Sequence, residues 1–201
     1  MRAVIFDFGG VLVRTQSQAR RESWARRLNI PMRELSDVVF GAENGYAAQL
    51  GQWTDDEHWD WVGQRIGLSG SSLERFRGDY FAEDVLDAGL LAYVDRLRAA
   101  GYHLGLLSNA TDAARRIIGQ RYGVLDHFGS VTVSAEEGIM KPDPRIFRIA
   151  LARAGVQAPE AVFVDDFIEN VDAARALGMA GVHFEEPAAA RMAIADLVGI
   201  V

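Results

Sequence analysis

Four short segments, far apart in the chain, carry the side chains that could perform chemistry. They hold a carboxylate, a hydroxyl followed by an amide, an ammonium group and two adjacent carboxylates, at Asp7, Ser108-Asn109, Lys141 and Asp165-Asp166. Carboxylate oxygens are preferred ligands of Mg²⁺, and ammonium or hydroxyl groups bind phosphoryl oxygens. Each residue alone is weak support, because Asp after a strand is a common turn former and helix cap. The whole set predicts a site for a divalent cation and a phosphoryl group.

Lys141 is the only lysine in a chain that has twenty arginines. Arginine is a wide planar fork, whereas lysine is a compact charge with three donors, so the two differ beside a small tetrahedral anion. Lys141 also precedes Pro142–Pro144, a rigid turn that favours a helix start at Arg145. Asp143 is the expected N-cap of that helix and receives no chemical role. We therefore interpret Lys141 as functional rather than as a product of codon bias.

Length and composition limit the possible functions. The 201 residues suffice for one sizeable core and an appended subdomain. The net charge of −7 argues against nucleic acid or an anionic membrane as a partner, since both require a basic face. The absence of cysteine excludes disulfides and thiolate metal sites but not a cation held by oxygen ligands. The chain starts with a short apolar strand and has no apolar run approaching ~20 residues, so we expect a cytoplasmic protein.

Five short, apolar segments rich in β-formers each end at polar residues. They are residues 3–6, 103–107, 130–133, 161–164 and 181–184. From the second segment onward, a stretch with helical periodicity and a closing glycine separates each from the next. This alternation predicts parallel strands joined by right-handed crossovers, and hence an α/β, Rossmann-like sheet covered on both faces. Such sheets bind ligands at the carboxyl ends of their strands, where Asp7, Ser108 and Asp165 stand.

The segment between about residue 15 and residue 85 interrupts this alternation. It contains no convincing strand but several helix starts, of which Thr54–Glu57 and Ser71–Glu74 have the pattern of a capping box. All four tryptophans lie in it, and we expect most of them to form the core of a small bundle. The predicted parts are a Rossmann-like core of residues 1–14 and 86–201, an inserted all-helical cap of residues 15–85, and short hinges at 13–15 and 84–89.

Four motifs together resemble those of the haloacid dehalogenase superfamily, and the resemblance covers nearly the whole chain. They are Ile5–Leu12, Leu106–Asn109, Met140–Pro144 and Val164–Asn170. The helical segment between the first two is similar to the small cap of the superfamily's phosphatase and dehalogenase branch. The resemblance implies a Mg²⁺-dependent hydrolase of a small phosphorylated metabolite. The layout is most similar to that of bacterial phosphatases acting on sugar phosphates such as glucose 1-phosphate.

The resemblance also implies a nucleophile and a set of metal ligands. Asp7 would attack phosphorus and form an aspartyl phosphate, which water then hydrolyses. Mg²⁺ would be held by Asp7, the backbone carbonyl of Gly9 and Asp166, and would neutralise the approaching charge. Asp165 is expected to lie behind these ligands. Asn170 is expected to support the loop that carries the two aspartates.

Three residues are expected to bind the phosphoryl group. Lys141 would screen the nucleophile and the transferring oxygens, as a further catalytic residue. Ser108 Oγ and the backbone N–H of Asn109 would bind the remaining phosphoryl oxygens. A purely structural alternative for Asn109 is that it caps the next helix.

Gly9 is the position where the chain departs from the superfamily's commonest first motif. That motif has Asp there, which protonates the leaving alcohol and later activates water, and such proton transfer contributes ~10²- to 10⁴-fold. Two alternatives follow, a hydrolytic 2-haloacid dehalogenase and a catalytically weak protein that binds a phosphorylated metabolite. Dehalogenases of the superfamily carry Tyr at this position and need no metal. The acidic pair Asp165-Asp166, with Asp7 and Lys141, favours the metal-dependent phosphatase.

Other polar and aromatic residues receive weaker predictions. Arg14, Tyr46 and Trp53 are candidates for substrate contact, because they lie near the hinge or in the segment that would cover the site. The four histidines are scattered, and isolated histidines are more often surface or packed residues than catalysts.

Overall fold

The computed structural model describes residues 1–199, leaving aside the side chains of residues 42 and 43. In chain order the elements are β1 (Ala3–Phe6), β2 (Val13–Thr15), α1 (Ala19–Leu28), α2 (Met32–Phe40), α3 (Ala42–Gln49), α4 (Asp55–Ile66), α5 (Gly70–Tyr80), β3 (Asp84–Leu86), α6 (Ala88–Ala99), β4 (His103–Ser108), α7 (Ala114–Arg116), β5 (Ser130–Val133), α8 (Ser134–Glu137), α9 (Pro144–Ala154), β6 (Ala161–Asp165), α10 (Ile168–Ala176), β7 (Ala180–His183) and α11 (Pro187–Val198). Residues 200 and 201, which belong to the predicted core, lie outside the described residues. Within that range, none of the helices is long and apolar enough to cross a bilayer.

Five strands form one parallel sheet in the order β5-β4-β1-β6-β7. In the central strand β1, Phe6 pairs with Leu106 of β4 on one side and with Val164 of β6 on the other. All four residues of β1 are buried, as expected for a central parallel strand with both faces covered. The prediction of an α/β, Rossmann-like sheet is confirmed.

Helices pack on both faces of the sheet because alternate residues of each strand point to opposite sides. Val4 and Phe6 of β1 pack in one apolar cluster with residues of α6 and α11. Ala3 and Ile5 pack in a second cluster with residues of α9 and α10. The two clusters fix β1 in the middle of the molecule and thereby fix the position of Asp7, which follows it.

The segment between β2 and β3 consists of five helices around an aromatic cluster. Trp24 meets Phe76 edge to face, with ring centroids 5.4 Å apart, and Trp59 packs in the same cluster. Trp61 lies partly buried against it. Most of the tryptophans therefore form a small core, as predicted, whereas Trp53 is half-buried and does not belong to this cluster.

A short antiparallel ribbon joins the helical segment to the sheet. In it, β2 and β3 pair Val13 with Leu86 and Thr15 with Asp84. The ribbon lies in the segments predicted as short hinges, and nothing in the sequence indicates its strands, because three residues are too few to show alternation. The ribbon brings both ends of the helical segment together beside the sheet.

The start of α5 also differs from the prediction. The helix begins at Gly70 with Ser69 as its N-cap residue, two residues before Ser71, the N-cap residue predicted from sequence. Ser72 Oγ accepts from the Ser69 N–H at 3.2 Å and donates to the Ser69 carbonyl at 2.6 Å, so a serine takes the place assigned to Glu74. Several serines in succession offer competing caps, and the sequence pattern does not rank them.

Candidate functional site

The carboxyl ends of β1, β4 and β6 meet at one edge of the sheet. Asp7 follows β1, and its backbone N–H donates to the Val164 carbonyl at 2.8 Å. Ser108 is the last residue of β4, and Asp165 is the last residue of β6. Chain connections diverge to opposite sides of β1 at this edge, which is where open α/β sheets bind ligands.

Lys141 brings its ammonium group to the same edge and is only 2% exposed. Its Nζ lies 2.9 Å from Asp7 Oδ1 and 2.6 Å from Asp165 Oδ2. It also donates to the Leu107 carbonyl at 3.0 Å. An ammonium has three N–H donors, so these three oxygens occupy all of them. The charge is therefore held in one position between two carboxylates.

Asn109 fixes the loop that carries Lys141. Its Nδ2 donates to the Lys141 carbonyl at 2.9 Å, and its Oδ1 accepts from the Lys141 N–H at 2.8 Å. The side chain therefore does not cap the next helix, which begins at Ala114 after Ala113. The result is a rigid link between the loop after β4 and the loop after α8.

Protein donors occupy both oxygens of Asp165. Besides the contact of Oδ2 with Lys141, Oδ1 accepts from the Phe167 N–H at 2.8 Å and from Asn170 Nδ2 at 3.0 Å. Asn170 lies in α10, so this helix supports the loop of the two aspartates, as predicted. Few lone pairs of Asp165 remain for another ligand, which is compatible with a position behind the metal ligands.

Asp166 has a buried oxygen, Oδ1, without a hydrogen-bond partner. One oxygen each of Asp7, Asp165 and Asp166 lie within 4.8 Å of one another. Gly10 lets the chain after β1 pass close to the Asp166 carboxylate: its φ is +83°, and a Cβ there would lie 2.1 Å from Asp166 Oδ2. Unpaired buried carboxylates are unfavourable without a compensating cation. The three carboxylates and the Lys141 ammonium leave two formal negative charges, which a divalent cation held by oxygen ligands would balance.

Burial and crowding shift the pKa values of this cluster. Burial raises the pKa of Asp7 to about 7, while the Lys141 charge opposes the rise and the Asp165 charge adds to it. Burial and then the Asp165 charge raise the pKa of Asp166. Burial lowers the pKa of Lys141, but the charges of Asp7 and Asp165 outweigh it and the net shift is upward. A cation between the carboxylates would favour their ionised forms, so cation binding and ionisation of Asp7 are coupled.

Gly9 differs from Gly10 in being free of steric constraint. A Cβ at Gly9 would meet no atom within 4 Å, and its φ lies outside the left-handed region. The residue is exposed and its backbone conformation is open to other amino acids. The structure therefore leaves room for a side chain at position 9.

Among the described residues, the three candidates for substrate contact form no hydrogen bond or ion pair with the carboxylate cluster. Arg14 pairs with Asp87 at 2.6 Å and lies over the ring of Phe184 at 5.8 Å. Tyr46 is 52% exposed on α3, and Trp53 is half-buried in the loop before α4.

Two contacts of the site were missed from sequence. One is the Leu107 carbonyl, which accepts from Lys141, and the other is His183, whose Nε2 lies 3.0 Å from the Asp166 carbonyl. A backbone acceptor has no sequence signal. His183 pairs with Asp165 across neighbouring strands. Its position near the end of the fifth predicted strand could therefore have indicated that it lies at the same sheet edge as Asp165.

A comparison with protein families gives a match to the haloacid dehalogenase-like hydrolases over residues 1–178. The chain belongs to this family. All four motifs lie within the matched residues, so the resemblance drawn from them is confirmed. The protein is therefore a hydrolase with the family's α/β fold.

Individual relatives of this hydrolase include phosphatases and dehalogenases. Sesquiterpene phosphatase astK of Aspergillus oryzae is 28% identical over 200 residues, which cover 98% of this chain and 97% of that protein. The HAD family enzyme bt-2542 of Bacteroides thetaiotaomicron is similar in structure with a TM-score of 0.77 and 23% identity, over 92% of this chain and 94% of that one. One of its structures is a complex with magnesium and inorganic phosphate. L-2-haloacid dehalogenase of Xanthobacter autotrophicus matches with a TM-score of 0.67 and 18% identity, over 97% of this chain and 83% of that one. Because both activities occur on this fold, the side chains of the site must decide between them.

Proposed function

We propose that this hydrolase is a Mg²⁺-dependent phosphomonoester hydrolase that acts in the cytoplasm on a small phosphorylated metabolite such as a sugar phosphate. The observation that carries the proposal is the cluster of Asp7, Asp165 and Asp166, of which only the first two pair with the buried Lys141 ammonium. Its two excess negative charges and the unpaired Asp166 oxygen fit a divalent cation. A site that bound only an organic acid would not need this excess of carboxylates. The phosphatase relative and the magnesium phosphate complex of a structural relative support the same reading.

Asp7 is the proposed nucleophile. Its carboxylate would attack phosphorus, the bond to the leaving oxygen would break, and water would then hydrolyse the aspartyl phosphate to release phosphate. Lys141, fixed beside Asp7, keeps the nucleophile oriented and offsets negative charge as the phosphoryl group approaches. Ser108 Oγ and the Asn109 N–H are the proposed donors to the phosphoryl oxygens. Lys141, the third predicted phosphate-binding residue, would act on them through its charge, because protein oxygens occupy all its N–H donors. Bound Mg²⁺, held by Asp7, the Gly9 carbonyl and Asp166, would supply the charge neutralisation that lets a carboxylate and a phosphate dianion meet.

We further propose that residues 15–85 act as a cap over this site, on a core of residues 1–14 and 86–201. The ribbon of β2 and β3 supports this division, because both passages of the chain between the two parts run through it. Arg14, Tyr46 and Trp53 remain the proposed substrate contacts in or next to the cap.

Metal removal tests the proposed function directly. We expect the purified protein to release phosphate from p-nitrophenyl phosphate with Mg²⁺ and to lose this activity in excess chelator, because the cluster then repels the dianion. Adding Mg²⁺ back should restore the rate, which controls for irreversible loss of the fold. Full turnover in chelator would contradict the metal role.

The dehalogenase alternative predicts metal-independent chloride release from 2-chloropropionate. The binding-protein alternative predicts thermal stabilisation by phosphate analogues without turnover of any ester.

Gly9 provides a second test, based on the leaving group. Without a proton donor there, rates should fall steeply as the leaving group becomes more basic, so aryl phosphates should react faster than alkyl phosphates. Gly9→Asp should flatten this dependence and raise alkyl phosphate rates by up to ~10²-fold, since the position is sterically open. Gly9→Ala adds a Cβ but no acid, and is the matched control. Metal affinity is measured in each variant before rates are compared. A wild type with equal rates for both leaving groups would mean that another proton donor is already present.

A further inference from the structure

Asp55 is a buried carboxylate for which the proposed reaction has no role. It is the first residue of α4 and is 6% exposed. A buried charge is unfavourable unless it is paired and hydrogen-bonded, so its partners indicate what it does. Oδ1 accepts from Thr111 Oγ1 at 2.9 Å, and Oδ2 forms an ion pair with Arg77 of α5. Its backbone N–H donates to Asp112 Oδ1 at 2.8 Å.

These contacts are not needed to start α4. The Glu57 N–H donates to Thr54 Oγ1 at 3.2 Å, and the Thr54 N–H donates to Glu57 Oε2 at 2.8 Å, which completes a capping box. The bonds to Thr111 and Asp112 instead cross from the helical segment to the loop that follows β4. They form only when the helical segment lies against the sheet edge.

The loop that Asp55 reaches also carries the proposed phosphate donors Ser108 and Asn109. At its start, the Asn109 side chain ties it to the backbone of Lys141. Further along, Thr111 ties it to α4. A loop held at both places keeps its hydroxyl and N–H donors in fixed positions, and small displacements of such donors are costly for binding and catalysis.

A second close contact lies beside the first. Gly51 has φ +68°, and a Cβ there would lie 2.2 Å from the Ala135 carbonyl. The chain from residue 51 to residue 55 therefore touches both the loop after β4 and the helix after β5. Both contacts lie on the side of the sheet edge that carries the proposed phosphate-binding residues.

We infer that Asp55 is a positioning residue that couples docking of the helical segment to the geometry of the phosphate-binding loop; the inference rests on the proposed phosphatase function. When the segment is docked, Asp55 fixes Thr111 and hence the loop. When it is undocked, the bond to Thr111 is lost, whereas the ion pair with Arg77 stays, because it lies within the segment. Phosphate binding and docking then favour each other, as linkage requires.

Thr111→Val isolates this contact, because it removes one hydroxyl and leaves the pair of Asp55 and Arg77 intact. We expect the KM for p-nitrophenyl phosphate and the inhibition constant for inorganic phosphate to rise about tenfold, with a smaller change in kcat. Thr111→Ser keeps the hydroxyl and should retain wild-type values. Thr15→Val is the matched control: it also removes a threonine hydroxyl bonded to an aspartate, Asp84 at 2.6 Å, but within the ribbon. It should change neither constant.

Amide hydrogen exchange gives a readout that does not depend on turnover. In the wild type, Mg²⁺ with inorganic phosphate should slow exchange in residues 50–56 and 108–113 together. In Thr111→Val both segments should exchange faster than in the wild type, with or without phosphate, while Thr15→Val should behave as the wild type. Wild-type constants and wild-type exchange in Thr111→Val would overturn the inference. If the wild type hydrolyses no phosphate ester, the proposed function fails, and exchange without phosphate in the same variants still decides whether Asp55 couples the two segments.

Discussion

Replacing Asp7 with asparagine should abolish phosphate release while leaving the protein folded. The variant removes the oxygen that would attack phosphorus, and losses of about 10⁴-fold or more are typical when a nucleophile is deleted. The side chain keeps almost the same shape, and its oxygen can still accept from the Phe8 N–H, which donates to Asp7 Oδ1 at 2.7 Å. Asp143→Asn is the matched control, because Asp143 is an N-cap outside the site and asparagine is an equally good cap. Activity of Asp7→Asn near the wild-type level would exclude the covalent mechanism.

The same variant should be more stable than the wild type when metal is absent and the pH is high. The pKa of Asp7 is raised to about 7 in the fold, so the folded state holds this proton more tightly than the unfolded chain does. The contribution of Asp7 to stability is then fully present below the ordinary carboxylate pKa and is lost as the pH rises through about 7. Asparagine does not titrate and avoids this loss. Thermal melts in chelator should give Asp7→Asn a Tm higher by roughly 3 °C or more at pH 8, with a smaller difference at pH 4. A lower Tm at pH 8 would mean that the carboxylate stabilises the metal-free fold.

The parts of the structure that the sequence predicts well are those with a strong local pattern. The strand before Asp7 is apolar throughout, and polar residues follow the strands at Ser108 and Asp165. Parallel pairing then requires these residues to meet at one edge, and they do. Lys141 was recognisable because it is the single lysine and precedes a proline turn. Local pattern and sheet topology together were therefore sufficient to predict most of the cluster.

The parts that escaped prediction depend on contacts between segments far apart in the chain. In the sequence, Asp55 looks like an ordinary acidic residue in the first turn of α4, and only the three-dimensional structure shows that Thr111 contacts it. His183 reads as an isolated histidine, and only the register of β6 and β7 puts it beside the aspartate loop. Gly9 and Gly10 look alike in the sequence, yet a side chain is excluded at Gly10 and tolerated at Gly9. Such differences follow from what approaches each residue in space, which no local pattern encodes.

Lys141→Arg should reduce turnover almost as severely as Lys141→Ala, by about 10²- to 10³-fold, although it preserves the charge. The ammonium lies between Asp7 and Asp165 and donates to the Leu107 carbonyl, with all three contacts between 2.6 and 3.0 Å. It also lies 5.5 Å from the centre of the Phe163 ring, so the pocket is closed on the apolar side. A planar guanidinium cannot direct three donors tetrahedrally from one atom, and its larger size would push the carboxylates apart.

Chemical rescue distinguishes loss of the ammonium from loss of the fold. Lys141→Ala leaves a cavity beside Asp7 and Asp165 that a small alkylammonium ion such as ethylammonium can enter, restoring the charge at nearly the same position. We expect added ethylammonium to raise kcat of Lys141→Ala several-fold with saturation, and to have no effect on Lys141→Arg, whose side chain fills the space. Tetramethylammonium, which has no N–H donor, is the matched control and should not rescue either variant. Near-wild-type kinetics of Lys141→Arg would show that net charge alone suffices at this position, and the compact three-donor geometry of the single lysine would then have no catalytic consequence.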